Sequence, residues 1–174
     1  MSANGSKTRH IFIADAVLSV TMSLLWVGSY GYTYSDPLYN SSPVNWLAFL
    51  LWTPGLFLTL RFYRLLIRQL GNSWLSILLT WLAYFASLLL VEHIGYNVLA
   101  IHQVTSEGPL FLGLIHGTVI LKIYYVTAGM VAIFLSRILE KILDQPGEIQ
   151  KPFGNGETGR PCRYDYHKKF NKAL

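Results

Sequence analysis

The sequence WLSILLTWLAYFASLLLVEHIGYNVL, residues 74–99, begins with eighteen consecutive residues that carry no charge. A helix needs about 20 predominantly apolar residues to cross the ~30 Å hydrocarbon core of a bilayer. Three other stretches have a similar length and character, namely residues 11–32, 44–66 and 110–136. This pattern predicts an all-α integral membrane protein, a bundle of four transmembrane helices.

The composition of the whole chain agrees with this prediction. Only 13% of the 174 residues are charged and 52% are hydrophobic, whereas about a quarter of the residues in an ordinary soluble domain are charged. An ordinary soluble domain is therefore excluded. The single cysteine, Cys162, also excludes an internal disulfide, a CxxC redox pair and a four-thiolate metal site.

The positions of the basic residues predict the orientation of the helices. Of the 14 Lys and Arg residues, 13 precede the first span, lie at the junction of the second and third spans, or follow the fourth, while residues 34–43 and 101–109 contain none. The positive-inside rule then places both termini on the cytoplasmic side of a bacterial inner membrane, or on the equivalent side of an organelle membrane. The net charge of +5 thus reflects topology and requires no nucleic acid. Residues 1–144 form the predicted transmembrane domain, and residues 145–174 a cytoplasmic, irregular, Gly/Pro-rich basic tail.

Small and weakly polar residues recur at helical spacing in three of the spans. Helices in lipid associate through close packing of such residues and through hydrogen bonds between polar side chains. The three expected packing faces are Asp15, Ser19 and Ser23 in the first span; Ser76, Thr80, Ala83 and Ser87 in the third; and Gly113, Gly117, Ala128, Ala132 and Ser136 in the fourth.

Four ionisable residues in the third and fourth spans form the candidate site. Helical counting brings Glu92, His93, His116 and Lys122 within about two turns of one another in depth, in the outer half of the membrane. By the same count Lys122 lies near mid-depth and about 180° from Gly113, so that one flat interface cannot bury both. Charged residues at such depth cost about 2.5–3.5 kcal/mol on insertion scales, and they normally face a partner or a cavity.

Three interpretations of this group stay open at this point. In the first, Glu92 pairs with Lys122 or His116 and the pair only sets the register of two helices. In the second, the four residues are catalytic, with Glu92 as proton acceptor, a histidine as its partner and Lys122 as the cation that holds an anionic or carbonyl group. In the third, His93 and His116 bind a haem or flank a quinone. The expected cofactor-binding neighbours are Tyr96, Asn97, Tyr124 and Tyr125, and no metal site is predicted.

The preferred function is a non-catalytic subunit of a larger membrane complex. It would contact lipids and other membrane-protein subunits through the small-residue faces and an ordered C-terminal tail. The alternative is a membrane enzyme or carrier for a lipid, isoprenoid or quinone-like molecule, or a haem-binding membrane protein. The sequence contains no Walker loop, GxSxG or HExxH motif that would indicate a nucleotide, serine-hydrolase or zinc-protease chemistry.

Overall fold

The computed structural model describes residues 3–40, 44–104 and 115–143, with side-chain burial from residue 8 onward. Within these ranges the chain is helical and contains no strand; its four long helices are α1, Ala3–Tyr30, α2, Trp46–Leu70, α3, Ser73–His93, and α4, Val119–Leu143. A short 3₁₀ helix at Pro37–Tyr39 and a π-helix at Ile94–Val98 complete the elements. Four helices are long and apolar enough to cross a membrane, which confirms the all-helical class and the four apolar helices. The predicted tail, residues 145–174, lies outside the described residues, and the orientation stays a prediction.

Local signals explain where α2 ends and α3 begins. Gly71 has φ 64° and its N–H bonds to the Ile67 carbonyl, 3.1 Å away, which is the left-handed termination that glycine adopts readily. The side chain of Asn72 then accepts a hydrogen bond from the Leu75 N–H at 3.1 Å. This side-chain cap satisfies one of the free N–H groups at the start of α3. Asn45 caps α2 in the same way, through the Ala48 N–H at 3.0 Å.

Contacts at both ends of the bundle show that consecutive helices run antiparallel. At one end, here called the basic end, Asp15 in the first half of α1 meets Arg64 near the end of α2 and Ser136 near the end of α4. At the other, here called the tyrosine-rich end, Tyr32 after α1 meets Trp52 near the start of α2. Short connections in a bundle favour this arrangement.

The fourth helix differs most from its predicted span. It runs over Val119–Leu143 rather than residues 110–136, because Gly117 has φ 119°, a backbone conformation outside the helical region. The Thr118 hydroxyl accepts a hydrogen bond from the Leu121 N–H at 3.3 Å and so caps the helix just after that glycine. Ile115 precedes the helix but is fully buried at the tyrosine-rich end. Ile115 packs against the bundle, and a hydropathy pattern does not distinguish such a buried residue from the start of a helix.

The other spans differ only at their ends. The first helix ends at Tyr30 rather than at residue 32, and the second continues to Leu70 rather than 66. The third is helical from Ser73, but its last turn, Ile94–Val98, is a π-helix. Boundary differences of a few residues do not change which four segments form the long helices.

Polar residues lie inside this bundle and large apolar residues lie on its surface. Asp15, Ser19 and Ser23 are at most 1% exposed, which confirms the predicted face of α1. Ala128, Ala132 and Ser136 of α4 are also buried. By contrast, every helix exposes large apolar side chains along its length, as Leu25 (66%), Leu58 (64%), Leu90 (58%) and Phe134 (65%) illustrate. Soluble monomers rarely expose so much contiguous apolar surface, whereas lipid accommodates it.

The predicted face of α3 is only half correct. Ser76 and Thr80 are fully buried, but Ser87 is exposed. The buried line continues through Tyr84 and the half-buried Leu88, and a line of residues four apart rotates by about 40° per step around the helix. Ser87 lies about 100° from Leu88, so the contact line leaves it on the surface.

Candidate functional site

The tyrosine-rich end contains the acidic residue that the sequence singled out. Glu92 lies one residue before the end of α3 and is half-buried. The Tyr125 hydroxyl of α4 donates a hydrogen bond to its carboxylate. Tyr34, in the connection after α1, is close enough to Glu92 to interact with it electrostatically. Burial first, and then the negative charge of Glu92, raise the pKa of Tyr34 above its ordinary value, so the phenol stays neutral beside the carboxylate.

A third tyrosine, Tyr32, completes this group. Tyr32 is buried, and its hydroxyl accepts two hydrogen bonds, from Trp26 Nε1 at 2.8 Å and Trp52 Nε1 at 2.9 Å. Burial raises the pKa of Tyr32 well above 10.0. Both indoles are donors only, so the hydroxyl hydrogen of Tyr32 remains available to donate. Tyr125 is close enough to interact electrostatically with Tyr32. Tyr32, Tyr34, Tyr125 and Glu92 are called the carboxylate–tyrosine cluster below.

A π-helix begins two residues after Glu92 and changes the rotation of the following side chains about the helix axis. It spans Ile94–Val98, and a π-helical turn inside an α-helix frequently marks a functional position. Ala100, just beyond it, has φ 52°, an uncommon conformation for a residue with a side chain. This irregular turn places the Tyr96 ring against the His116 ring, with centroids 3.6 Å apart and planes 9° from parallel.

The residues proposed as catalytic have different neighbours in the structure, and their action as one site stays a prediction. Glu92 belongs to the carboxylate–tyrosine cluster, and His116 is half-buried and stacked on Tyr96. His93 is exposed, and its Nδ1 is 3.1 Å from the amide nitrogen of Asn97. The hydrogen-bond partner that the structure gives the Glu92 carboxylate is Tyr125, a residue that the sequence had assigned to cofactor binding.

Lys122 lies in the first turn of α4, with its N–H bonded to the Thr118 carbonyl at 3.1 Å. Its predicted position near mid-depth was counted back from Arg137, and that depth stays a prediction. Near a helix end the long lysine side chain can reach the interface. The predicted angle to Gly113 does not apply, because α4 begins after that residue, which is outside the described range.

The remaining candidate residues support aromatic packing. The Tyr124 ring stacks on Trp26, with centroids 3.6 Å apart and planes 7° from parallel, and it makes an edge contact with Trp52 at 4.9 Å. Asn97 contacts His93, and Tyr96 accepts a hydrogen bond from the Gln103 N–H at 3.3 Å. His93 and His116 thus have different neighbours, and this arrangement gives no support to a haem held between them. In residues 3–40, 44–104 and 115–143, no three His, Cys, Asp or Glu residues are placed to hold a metal ion.

A second charged group, at the basic end, was not predicted as a unit. The Arg64 side chain donates to both Asp15 carboxylate oxygens, each at 3.2 Å, to Ser136 Oγ at 2.8 Å and to Glu140. Ser136 in turn donates to Asp15 at 2.6 Å. Arg61 lies 3.8 Å from the same carboxylate. These residues, Asp15, Arg64, Ser136 and Glu140, are called the Arg64 network.

Sequence reasoning read Arg64 only as a marker of membrane orientation. It is 7% exposed and Asp15 is 1% exposed, so each neutralises a charge that would otherwise be buried alone. The sequence did contain a signal for this pairing: an aspartate within an apolar span needs a cation at its own depth. Arg64 lies at that depth on the neighbouring antiparallel helix.

Comparisons of the chain with protein-family models, with curated proteins and with solved structures give no match. The function is therefore argued from the residues of the chain itself.

Proposed function

We propose that this chain is an integral membrane protein that serves as a non-catalytic subunit of a larger membrane complex. The observation that carries the proposal is the outward surface of α3. Of the four apolar spans, the one that contains α3 has the smallest share of buried residues, and the one formed by α4 has the largest. The α3 helix also presents small residues to the outside, since Ala86 and Ser87 are exposed and Ala83 is half-buried.

Small residues on a membrane-exposed helix face allow another helix to approach closely. The Ser87 hydroxyl bonds to the Ala83 carbonyl of its own helix at 2.8 Å, so this polar group tolerates lipid and a partner helix equally. Large leucines flank the patch, including Leu82 and Leu90. The resulting shallow depression between leucines fits the ridge of a partner helix.

The Arg64 network supports a structural role for the basic end. Its two acidic side chains, Asp15 and Glu140, are neutralised by Arg64 and by the neighbouring Arg61, and Asp15 accepts hydrogen bonds from both Arg64 and Ser136. Such a group holds α1, α2 and α4 at a fixed register. The small-residue face of α4, in contrast, is buried inside the bundle and is unavailable to a partner.

Site-directed crosslinking in native membranes tests the proposal. Cys162 is the only cysteine, so a C162S background carrying Ser87→Cys places one thiol on α3. Thr127→Cys is the matched control: Thr127 is exposed on α4, and its hydroxyl also bonds to its own helix, at Ile123, 2.8 Å away. We expect a thiol-directed photocrosslinker to yield a discrete heteromeric adduct from Ser87→Cys alone.

Equal labelling at both positions, or a stable monomer after purification in mild detergent, would contradict the subunit proposal. Adducts between two copies of this chain would replace it with a homo-oligomer. Stoichiometric recovery of the same partner from the detergent extract would support it independently of the crosslink.

A second candidate function is favoured by the carboxylate–tyrosine cluster. An intramembrane carboxylate is by default a functional-site hypothesis, and here it lies beside a π-helix and is hydrogen-bonded to a tyrosine. Glu92 would accept a proton or hydrogen bond from a lipid, isoprenoid or quinone-like molecule, and Tyr34 and Tyr125 would orient it. This alternative makes the chain a small membrane enzyme or carrier.

Retention of a small molecule by the purified protein distinguishes this alternative. Glu92→Gln should abolish a co-purifying isoprenoid or quinone, measured by mass spectrometry of the lipid extract, while the helical content stays unchanged. His93→Gln is the control, because His93 is exposed and contacts Asn97. Unfolding of Glu92→Gln would instead indicate a structural hydrogen bond to Tyr125, and a haem absorption band would favour the third interpretation.

A further inference from the structure

At the basic end, beside the Arg64 network, the four helices surround a cleft of about 260 Å³. Its charged lining consists of Arg64, Arg68, Arg137 and Glu140. Arg64 and Glu140 form an ion pair with each other. In the part of the chain that the structure describes, neither Arg68 nor Arg137 takes part in any of the ion pairs. The cleft therefore presents two arginines whose charge is not neutralised by a neighbouring carboxylate.

The rest of the lining is largely apolar. Ile11 of α1 and Tyr63 and Ile67 of α2 contribute to it, and Tyr63 is buried whereas Ile67 is half-buried. A site that combines cations with hydrocarbon matches an amphipathic anion better than a fully hydrated ion. The volume lies just below the range of about 300–1,000 Å³ for sites that enclose drug-sized ligands, which suits a head group rather than a whole molecule.

We propose that this cleft binds the phosphate of an anionic phospholipid head group. Arginine forms paired, charge-assisted hydrogen bonds with phosphate oxygens, and Arg68 and Arg137 come from different helices, α2 and α4, so that one phosphate can be held between them. Ser73, the first residue of α3, lines the same cleft and adds a hydroxyl donor. Basic pockets between transmembrane helices on the cytoplasmic side are a recurring form of lipid head-group site.

The acyl chains of the lipid would extend along the surface of the bundle from the apolar part of the lining. Large exposed side chains are next to lining residues in sequence, since Phe12 follows Ile11 and Leu65 follows Arg64. This inference requires the four helices to lie in a membrane, but it is independent of the subunit assignment. A protein that proves to be a monomer can still bind lipid at this cleft.

The test measures lipid binding to the purified full-length chain in a neutral detergent. Short-chain phosphatidylglycerol, short-chain phosphatidylcholine and inorganic phosphate are titrated separately, and bound lipid is counted by native mass spectrometry. We expect phosphatidylglycerol to bind, phosphatidylcholine to bind weakly and inorganic phosphate to compete only at high concentration. Arg68→Gln and Arg137→Gln should each weaken phosphatidylglycerol binding about tenfold, and the double variant more.

Matched controls separate this site from general surface charge. Lys141→Gln removes an exposed cation from the same end of α4 and should leave binding unchanged. Arg68→Lys with Arg137→Lys keeps the charge but loses the paired geometry, so it should recover only part of the affinity. Unchanged circular dichroism in all variants establishes that the bundle still folds.

Three results would overturn the proposal. Equal loss in Lys141→Gln would show that binding reflects the overall positive surface. Inorganic phosphate binding as tightly as phosphatidylglycerol would make the ligand a free anion rather than a lipid. Unchanged phosphatidylglycerol binding in the double Arg→Gln variant would remove the cleft from consideration altogether.

Discussion

Replacement of Arg64 by Met should be among the most damaging single changes in the bundle. The substitution removes hydrogen bonds to both Asp15 oxygens, to Ser136 and to Glu140. It leaves the Asp15 carboxylate, 1% exposed, with Ser136 and the more distant Arg61. Removing one partner of a buried pair costs about 3–5 kcal/mol, because the other charge is left uncompensated. We expect Arg64→Met to lower the free energy of unfolding by that amount.

Two further variants show whether charge or shape is responsible. Arg64→Lys keeps the charge, but a single ammonium cannot serve Asp15 and Glu140 with the planar fork that the guanidinium offers; we expect a loss of about 1.5–3 kcal/mol. The double variant Asp15→Leu/Arg64→Met removes both buried charges together. Replacing a buried pair by apolar residues is often nearly neutral, so it should be more stable than either single variant. Glu140, whose side chain is 32% exposed, can then turn to solvent.

Reversible unfolding in mixed micelles, by titration with a denaturing detergent and followed by circular dichroism, measures these energies. The coupling energy between Asp15 and Arg64 follows from the double-mutant cycle. A loss below about 1 kcal/mol in Arg64→Met, or strict additivity of the two single variants, would refute the view that the Arg64 network holds three helices together.

Other predictions follow from the close packing and from the buried phenol. Gly129→Ala should destabilise the bundle by about 1–3 kcal/mol, because a Cβ there would lie 2.8 Å from the Tyr84 ring; Gly55→Ala, which meets nothing within 4 Å, is the control and should be neutral or stabilising in the same unfolding assay. Because burial raises the pKa of Tyr32, its contribution to stability is complete below the ordinary value near 10 and is lost as the pH rises toward the raised folded value. The loss should approach about 1.4 kcal/mol per pH unit above about pH 10, and Tyr32→Phe should remove that part of the alkaline dependence, as measured by unfolding and tyrosinate absorbance; an unchanged alkaline slope would contradict it. Trp52→Phe deletes one of the two indole donors to Tyr32 and should cost about 0.5–1.5 kcal/mol plus any loss of packing.

The candidate residues show how far sequence reasoning reaches at a membrane site. Glu92 stands out because a carboxylate in an apolar span is costly wherever it points, and the structure places it in a cluster of tyrosines. Its partner could not be found in the same way. Tyr125 faces Glu92 only because of the rotation and register of α4, which starts at Val119 instead of residue 110. Because α4 starts nine residues later than predicted, His116 lies before the helix instead of within it.

The Arg64 network shows a second case in which the sequence did not reveal the partners of a charged residue. Arg64 is one of 13 basic residues whose position fits the membrane orientation, and that explanation is sufficient without any contact. Its hydrogen bonds join residues 49, 72 and 76 positions apart. The positions of charges along the chain do not reveal which of several arginines points into the bundle.

Apolar length and helical period are local properties, and they were enough to establish the helical class, the four long apolar helices and the inward polar face of α1. Which side chains meet depends instead on how far each helix is rotated and shifted against its neighbours. That is settled by packing between residues distant in sequence, such as Gly129 against Tyr84 or Ile115 against the tyrosine-rich end. The Asp15–Arg64 pair, the Glu92–Tyr125 hydrogen bond and the arginine cleft all arise from this packing.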